Sequence, residues 1–239
     1  MRLCTLLLLC AGLVQAQVLN NASLTGKYYF AQLQVTASGG QASDGRNASG
    51  SITFNGTGGY TYTGKLGVGS GAMAASSGSG TYTVASAGSV TLTSPIRNSL
   101  QVRAWLSSNL NVLVGASTEA SDNTNDIFVA IKAPTANITN SVLNGAYSGG
   151  YLVLPNGAST AIKSSLVALT PNGNGQFTRV AITGHAADQA GRNVSQEATS
   201  STYAINADGS GTANFGAAAS LFNGARDIFV SQDGNYLLA

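Results

Sequence analysis

One imidazole and a scatter of carboxylates are the groups in this chain whose types could carry acid–base or nucleophilic chemistry. His185, the single histidine, stands in AITGHAADQAG with Asp188 close behind it. A serine nucleophile needs an imidazole held between its hydroxyl and a carboxylate. Serines are plentiful, but the sequence contains no G-x-S-x-G elbow to present one on a strained turn. The segment around His185 reads as a loop, so His185 is taken as an exposed loop histidine and no catalytic residue is assigned.

Oxygen ligands gather in EASDNTNDIF, where Glu119, Asp122, Asn123, Asn125 and Asp126 lie close together. Hard cations such as Ca²⁺ bind such clusters, but the glycine and distal glutamate of an EF-hand are missing. Asn and Asp are also ordinary turn formers, so no metal site is assigned. The nine acidic residues offer no visible pair for glycoside hydrolysis. The glycines of GVGSGAMAASSGSG, residues 67–80, are not followed by GK[ST] or by a helix. They read as a flexible inter-strand loop, and no cofactor is assigned. Trp105 could stack on a sugar, yet a single exposed aromatic is more often edge packing.

The compartment is legible at the start of the chain. MRLCTLLLLCAGLVQAQ has a basic Arg2, an apolar run from Leu3 to Val14 and a V-Q-A pattern ending at Ala16. That is the anatomy of a secretory signal peptide, residues 1–16, with a run too short to span a bilayer. Acylation at Cys10 is the competing reading, disfavoured by Leu9 where lipoprotein signals prefer a small residue. Cys4 and Cys10, the two cysteines, both lie in this segment, so no disulfide or thiolate is expected after export. Only 8% of residues are charged and the net charge is +2, which gives no basic stripe for nucleic acid. With 44% apolar residues the chain has enough to build a core, unlike a disordered chain.

Beyond the signal, apolar residues alternate with period two. Ile52 and Phe54, then Tyr60 and Tyr62, flank a Gly-rich turn; Tyr82 and Val84, then Val90 and Leu92, flank Ala87-Gly88. Threonines fill the intervening positions, as in a half-buried antiparallel hairpin. SLQVRAWLSSNLNVLVGAS puts Leu100, Val102, Ala104 and Leu106 on one face and Gln101, Arg103 and Trp105 on the other. Strands near Lys27–Val35 and Asp126–Lys132 complete a set of about eight before Pro134, at the spacing of a barrel or sandwich.

The pattern is then written again. LTGKY at Leu24 pairs with LNGAY at Leu143, NGTGGYTYT with NGNGQFTRV, TYTVASAGS with TYAINADGS, and AWLSSNLNVLVG with IFVSQDGNYLLA. The offsets are 119, 117, 121 and 124 residues, in the same order. The sequence therefore predicts an all-β chain of two tandem antiparallel units, each an up-and-down barrel of about eight strands, with sandwiches as the alternative. The first covers residues 17–134, a polar linker 135–142, and the second 143–239. Gly26 and Gly145 should sit where a close approach or an unusual φ begins the first strand, and Tyr28 and Tyr147 should close one end of each core. The second unit has no counterpart to the first unit's last strand, which suggests a fragment of a longer product. GRNAS at Gly45 and GRNVS at Gly191 fall in different expected inter-strand loops. Asn21, Asn47, Asn55, Asn137 and Asn193 head N-x-S/T sequons.

LTGKYYFAQL, SGSITFNGTGGYTYTG, GSGTYTV, NDIFVAIKAP, LNGAYSGGYLVLPNG and ARDIFVSQDGNYLLA resemble uncharacterised secreted proteins of soil Acidobacteria, of the Solibacter type. In these a duplicated β region often precedes an immunoglobulin-like C-terminal domain. The resemblance implies a bacterial exported protein and brings no activity and no site residues. The sequence thus points to a secreted or periplasmic, non-catalytic module for adhesion or ligand binding, with a cell-surface glycan or a small apolar ligand as partner. The alternative is a calycin-like carrier whose interior is lined by Tyr28, Ile52, Val90 and Leu106. A membrane barrel is disfavoured by strands that read as about six residues, against about 9–11 needed to cross.

Overall fold

The computed structural model describes residues 18–39, 41–117, 123–155, 162–187, 193–216 and 221–239. It is an all-β structure with no α-helix among the described residues. The first eight strands are β1 (Thr25–Ser38), β2 (Gln41–Asn55), β3 (Gly59–Val68), β4 (Ala74–Val84), β5 (Ser89–Thr93), β6 (Gln101–Leu106), β7 (Val112–Ser117) and β8 (Thr124–Lys132). Each pairs with its sequence neighbour, and β8 returns to β1 with Tyr28 opposite Lys132 and Thr36 opposite Thr124. The result is a closed antiparallel barrel, as the period-two alternation predicts for these residues.

Closure removes the free edges that a sheet of this size would otherwise expose. Coiling brings β2 and β3 unusually near each other at Gly50 and Gly64, which lie opposite one another. A Cβ at Gly50 would fall 2.3 Å from the Thr63 carbonyl oxygen, and one at Gly64 would fall 2.1 Å from that of Ser49. No other residue fits there. Inside, Tyr28, Phe30, Ile52, Phe54, Tyr60, Tyr82, Leu92, Val102 and Phe128 form one buried cluster. Phe54 is its hub, edge-on to Tyr28 (5.5 Å between centroids), Tyr60 (5.9 Å) and Tyr82 (5.0 Å).

Three expectations are corrected in this half. Residues 67–80 are not a loop throughout, because β4 begins at Ala74; pairing with β3 supplies the order that Gly and Ser lack by themselves. Gly45–Ser49 lies within β2 rather than in a loop. Strands β1 to β4 run 14, 15, 10 and 11 residues, well beyond the six expected. Their polar outward residues hid their length.

The remaining strands are β9 (Tyr147–Val153), β10 (Lys163–Pro171), β11 (Phe177–Ala186), β12 (Val194–Glu197), β13 (Thr202–Ile205), β14 (Ser210–Asn214), β15 (Ala225–Val230) and β16 (Leu237–Leu238). They form two small sheets, ordered β12-β11-β10-β9 and β13-β14-β15-β16, not a closed barrel. The sheets meet where Gln176 bridges Thr202, with Ala198 and Phe177 N–H groups reaching the Val180 and Ser201 carbonyls. Ser200 has φ 56 there, interrupting the strand between β12 and β13. This half buries its own cluster, drawn from residues between Ile138 and Val230, around Phe177, Tyr203, Phe215, Phe222 and Ile228.

Several hydrogen bonds occur in matching places in the two halves. Short 3₁₀ turns precede β1 and β9, at Asn21–Ser23 and Asn140–Val142. The Asn21 side chain accepts from Val84 N–H (2.7 Å), and the Asn140 side chain from Ile205 N–H (2.8 Å). Tyr82 donates to the Leu24 carbonyl (2.7 Å), and Tyr203 to that of Leu143 (3.0 Å). Tyr28 donates to the Leu110 carbonyl, and Tyr147 to that of Gly234. Gly26 and Gly145 both take a positive φ, 91° and 107°.

The halves touch through a third cluster. Tyr29 stacks on Phe229 at 4.5 Å, with Ile131, Ala133, Tyr236 and Leu238 around them. Tyr29 alternates with the inward-facing Tyr28 and Phe30, and it is buried because the other half covers β1. Its hydroxyl donates to the Asp208 backbone carbonyl (2.6 Å), while Lys27 pairs with the Asp208 carboxylate (3.1 Å) and Lys65 with Asp227 (2.6 Å).

Candidate ligand-binding cleft

Alternation along β1 decides what enters the first barrel. Tyr28 and Phe30 continue inward as Gln32, Gln34 and Thr36, so one end of the interior turns from aromatic to polar. Gln32 Nε2 donates to Asp126 (2.7 Å) and to Ser94 (3.1 Å). Asp44 accepts from Arg46 Nε (2.8 Å) and from Arg97 Nη2 (2.7 Å), and Thr36 meets Thr124 at 3.3 Å. Two acids and two guanidinium groups balance here, which makes burial of the charges tolerable. The Gln34 amide is fully buried and has no hydrogen-bond partner among the described residues.

Of the residues considered for chemistry, His185 lies on β11 opposite Ser164, not in a loop. It is exposed, with no hydrogen-bond or ion-pair partner among the described residues; Asp188 lies outside them. Glu119 and Asp122 also fall outside the described residues, and Asp126 is engaged by Gln32 and by the Ser117 N–H. No group of three or more His, Cys, Asp or Glu side chains able to hold a metal occurs among the described residues. Trp105 points outward from β6 and is 63% exposed, opposite Val114 on β7.

A larger feature lies between the barrel wall and the second half. It is a cleft of about 1240 Å³ with the outward side chains of β1 and β8 (Ala31, Leu33, Ile127, Val129) on one side. Facing them are Tyr151 and Leu152 of β9, Ser165 and Leu166 of β10, His185 of β11 and Arg226 of β15. Its apolar walls remain open to solvent: Leu166 is 70% exposed, Ile127 52% and Leu152 46%. Adjoining apolar side chains left uncovered in this way mark an interaction site more often than isolated ones do.

The polar centre of the cleft is Arg226. Its guanidinium carbon lies 4.9 Å from the Tyr151 ring centroid and 5.2 Å from that of Phe222, and the two rings meet edge-to-face at 4.7 Å. Each cation–π contact contributes about 0.5–2 kcal/mol, more as water is excluded. One Arg226 nitrogen donates to the Asn223 carbonyl (3.1 Å), while Nε is buried without a partner among the described residues. Ser165 Oγ, on the same cleft, is likewise buried without one. Burial pushes the Tyr151 hydroxyl pKa up, against the lowering pull of Arg226. The arrangement can bind a group with an apolar body and an acceptor or anionic end.

Arg226, Tyr151, Phe222 and Ser165 were not singled out from sequence. One signal existed: Arg226 shares the parity of Ile228 and Val230 in ARDIFV, so a strand there turns its charge toward the core side. Tyr151 and Phe222 come from distant segments, and only the fold brings them together. In comparison with known proteins, the chain matches no family model and no curated protein.

Proposed function

We propose that the protein is an exported, non-catalytic β module that holds a ligand or surface partner in this cleft, and that it consists of two tandem copies of one β unit. The carrying observation is Arg226, caged by Tyr151 and Phe222, its buried Nε without a hydrogen-bond partner among the described residues, set among exposed apolar walls. The copied hydrogen bonds of Asn21 and Asn140, and of Tyr82 and Tyr203, support the tandem arrangement, with the signal-like first residues supporting export. His185 has no hydrogen-bond or ion-pair partner among the described residues, in keeping with a binding role.

The carrier alternative draws less support. Tyr28, Ile52, Val90 and Leu106, the residues expected to line a hollow, are buried within the packed cluster of the first barrel. A membrane barrel also draws little, despite the long strands. Its lumen would be polar and its wall apolar, whereas here aromatics face inward and Thr61, Thr63, Lys65, Gln101 and Arg103 face outward. Isothermal titration against cell-wall glycans and small apolar carboxylates is expected to give saturable binding that Arg226→Ala weakens at least tenfold. Hydrolase activity in the pure protein, abolished by His185→Ala, would refute the non-catalytic reading.

A further inference from the structure

On the outer surface of the first barrel, the pairing registers set Trp105 of β6 opposite Val114 of β7, Val114 opposite Val129 of β8, and Val129 opposite Ala31 of β1. Neighbouring strands stand about 4.8 Å apart, so this row runs about 14 Å across the four strands. Its inner end, Val129 and Ala31, is a wall of the cleft; its outer end, Val114 and Trp105, is 49% and 63% exposed. The next row along the same strands, Val112, Ile131 and Tyr29, packs with Phe229, Tyr236 and Leu238 of the second half. We propose that the cleft binds a long-chain carboxylate, its head at Arg226 and its alkyl tail lying along the uncovered row as far as Trp105. The proposal rests on the cleft being a ligand site and names the class of ligand it takes.

The head group follows from charge. Among the described side chains that line the cleft, Lys65 is paired with Asp227 and Arg46 with Asp44. Arg226 has no acidic partner among the described residues, and its Nε is buried without an acceptor. Ser165 lies opposite Tyr151 across β10 and β9, so its buried, unpartnered hydroxyl stands beside the ring that Arg226 covers. A carboxylate supplies the acceptor that both groups lack, and its charge-assisted bonds to a guanidinium are among the strong ones. The tail follows from the wall. Ala31, Leu33, Ile127, Val129, Leu152 and Leu166 present aliphatic surface and no hydrogen-bonding side-chain group. Strands β1, β6, β7 and β8 are paired on both sides in the closed barrel, so their backbone is not open to a further strand. A peptide or a glycan laid there would find few partners for its polar groups, whereas an alkyl chain has none to satisfy.

The test uses the full chain and stearate below its micelle concentration, read by isothermal titration. Saturable binding is expected, at least tenfold tighter than for hexanoate, whose tail is too short to reach Trp105. Arg226→Gln is expected to weaken stearate at least tenfold. Val114→Asp, on the exposed outer face, is expected to weaken stearate at least tenfold while leaving hexanoate binding and the circular dichroism spectrum unchanged. Trp105 is the only tryptophan in the chain, so its emission reports the tail in the unsubstituted protein. Stearate carrying a nitroxide near its methyl end should quench that emission, and stearate carrying one near its carboxyl should not. Equal quenching from both positions, or saturable stearate binding with quenching from neither, overturns the path of the tail but leaves the ligand cleft standing. Stearate affinity unchanged by Arg226→Gln overturns the placement of the head. Titration of a glycan without stearate binding overturns the long-chain carboxylate; binding of neither overturns the cleft as well.

Discussion

The two halves of this chain share a hydrogen-bonding plan and differ in how the plan closes. In the N-terminal half β8 satisfies both β1 and β7, and its Phe128 shares the interior with Phe30. In the C-terminal half β9 and β16 each have a strand partner on one side only among the described residues, and a Cβ at Gly149 of β9 would meet nothing within 4 Å. Arg226 of β15 lies there between the rings of Tyr151 and Phe222. The difference teaches how each half places its charges: the closed barrel pairs Asp44 with Arg46 and Arg97 at one end of its interior, whereas the second half holds Arg226 between two rings.

The largest test of that contrast removes the closing strand's ring. Phe128→Ala is expected to cost about 3–5 kcal/mol, the range for deleting a buried Phe and leaving a cavity, read from urea denaturation midpoints. A loss below about 1 kcal/mol would mean that β8 does not close a packed core. The next test probes what the halves share. Asn21→Ala and Asn140→Ala each strand a backbone N–H, of Val84 or of Ile205, and each is expected to cost about 1–2 kcal/mol. Similar costs sharpen the pairing of the halves, whereas an effect confined to one of them breaks it.

The smallest expected effect concerns the contact between the halves. Partial burial opposes ionisation of Asp208, but hydrogen bonds from the Ser210 hydroxyl and N–H and from Lys27 outweigh it and hold its carboxyl well below the usual range. A depressed carboxyl contributes stability that is fully present above the unfolded value of about 4 and is lost as pH falls below it. The Lys27–Asp208 pair is roughly half exposed, so its contribution stays below about 1 kcal/mol. Asp208→Asn should flatten part of the stability loss between neutral and strongly acidic pH, measured as urea midpoints across that range. An unchanged acid profile would show that this pair does not stabilise the contact.

Much of the fold was legible because strands announce themselves locally. Ile52, Phe54, Tyr82, Val90, Leu92, Val102 and Leu106 were assigned to an inward face from alternation, and all seven are buried in the first core. The Gly-rich part of β4 and the outer reaches of β1 and β2 were missed, since Gly, Ser and Asn have weak strand preference and are held by their neighbours. His185 was read as a loop residue for the same reason: Gly184 and the alanines around it carry no alternation. The cleft was hardly legible at all. Only the parity of Arg226 hinted at it, and its meaning depends on Tyr151 and Phe222 arriving from elsewhere.

What the chain's own letters determined, then, is the all-β character, the inward and outward faces of most strands of the first barrel, and the unusual φ at Gly26 and Gly145. These follow from steric preference and side-chain alternation, which act over a few residues. Which edges meet, that Tyr29 is covered by Phe229, and that Arg226 lies caged by Tyr151 and Phe222 were decided by tertiary structure. The physical reason is that strand pairing and burial join residues far apart in the chain, and no local pattern encodes which distant partner will arrive.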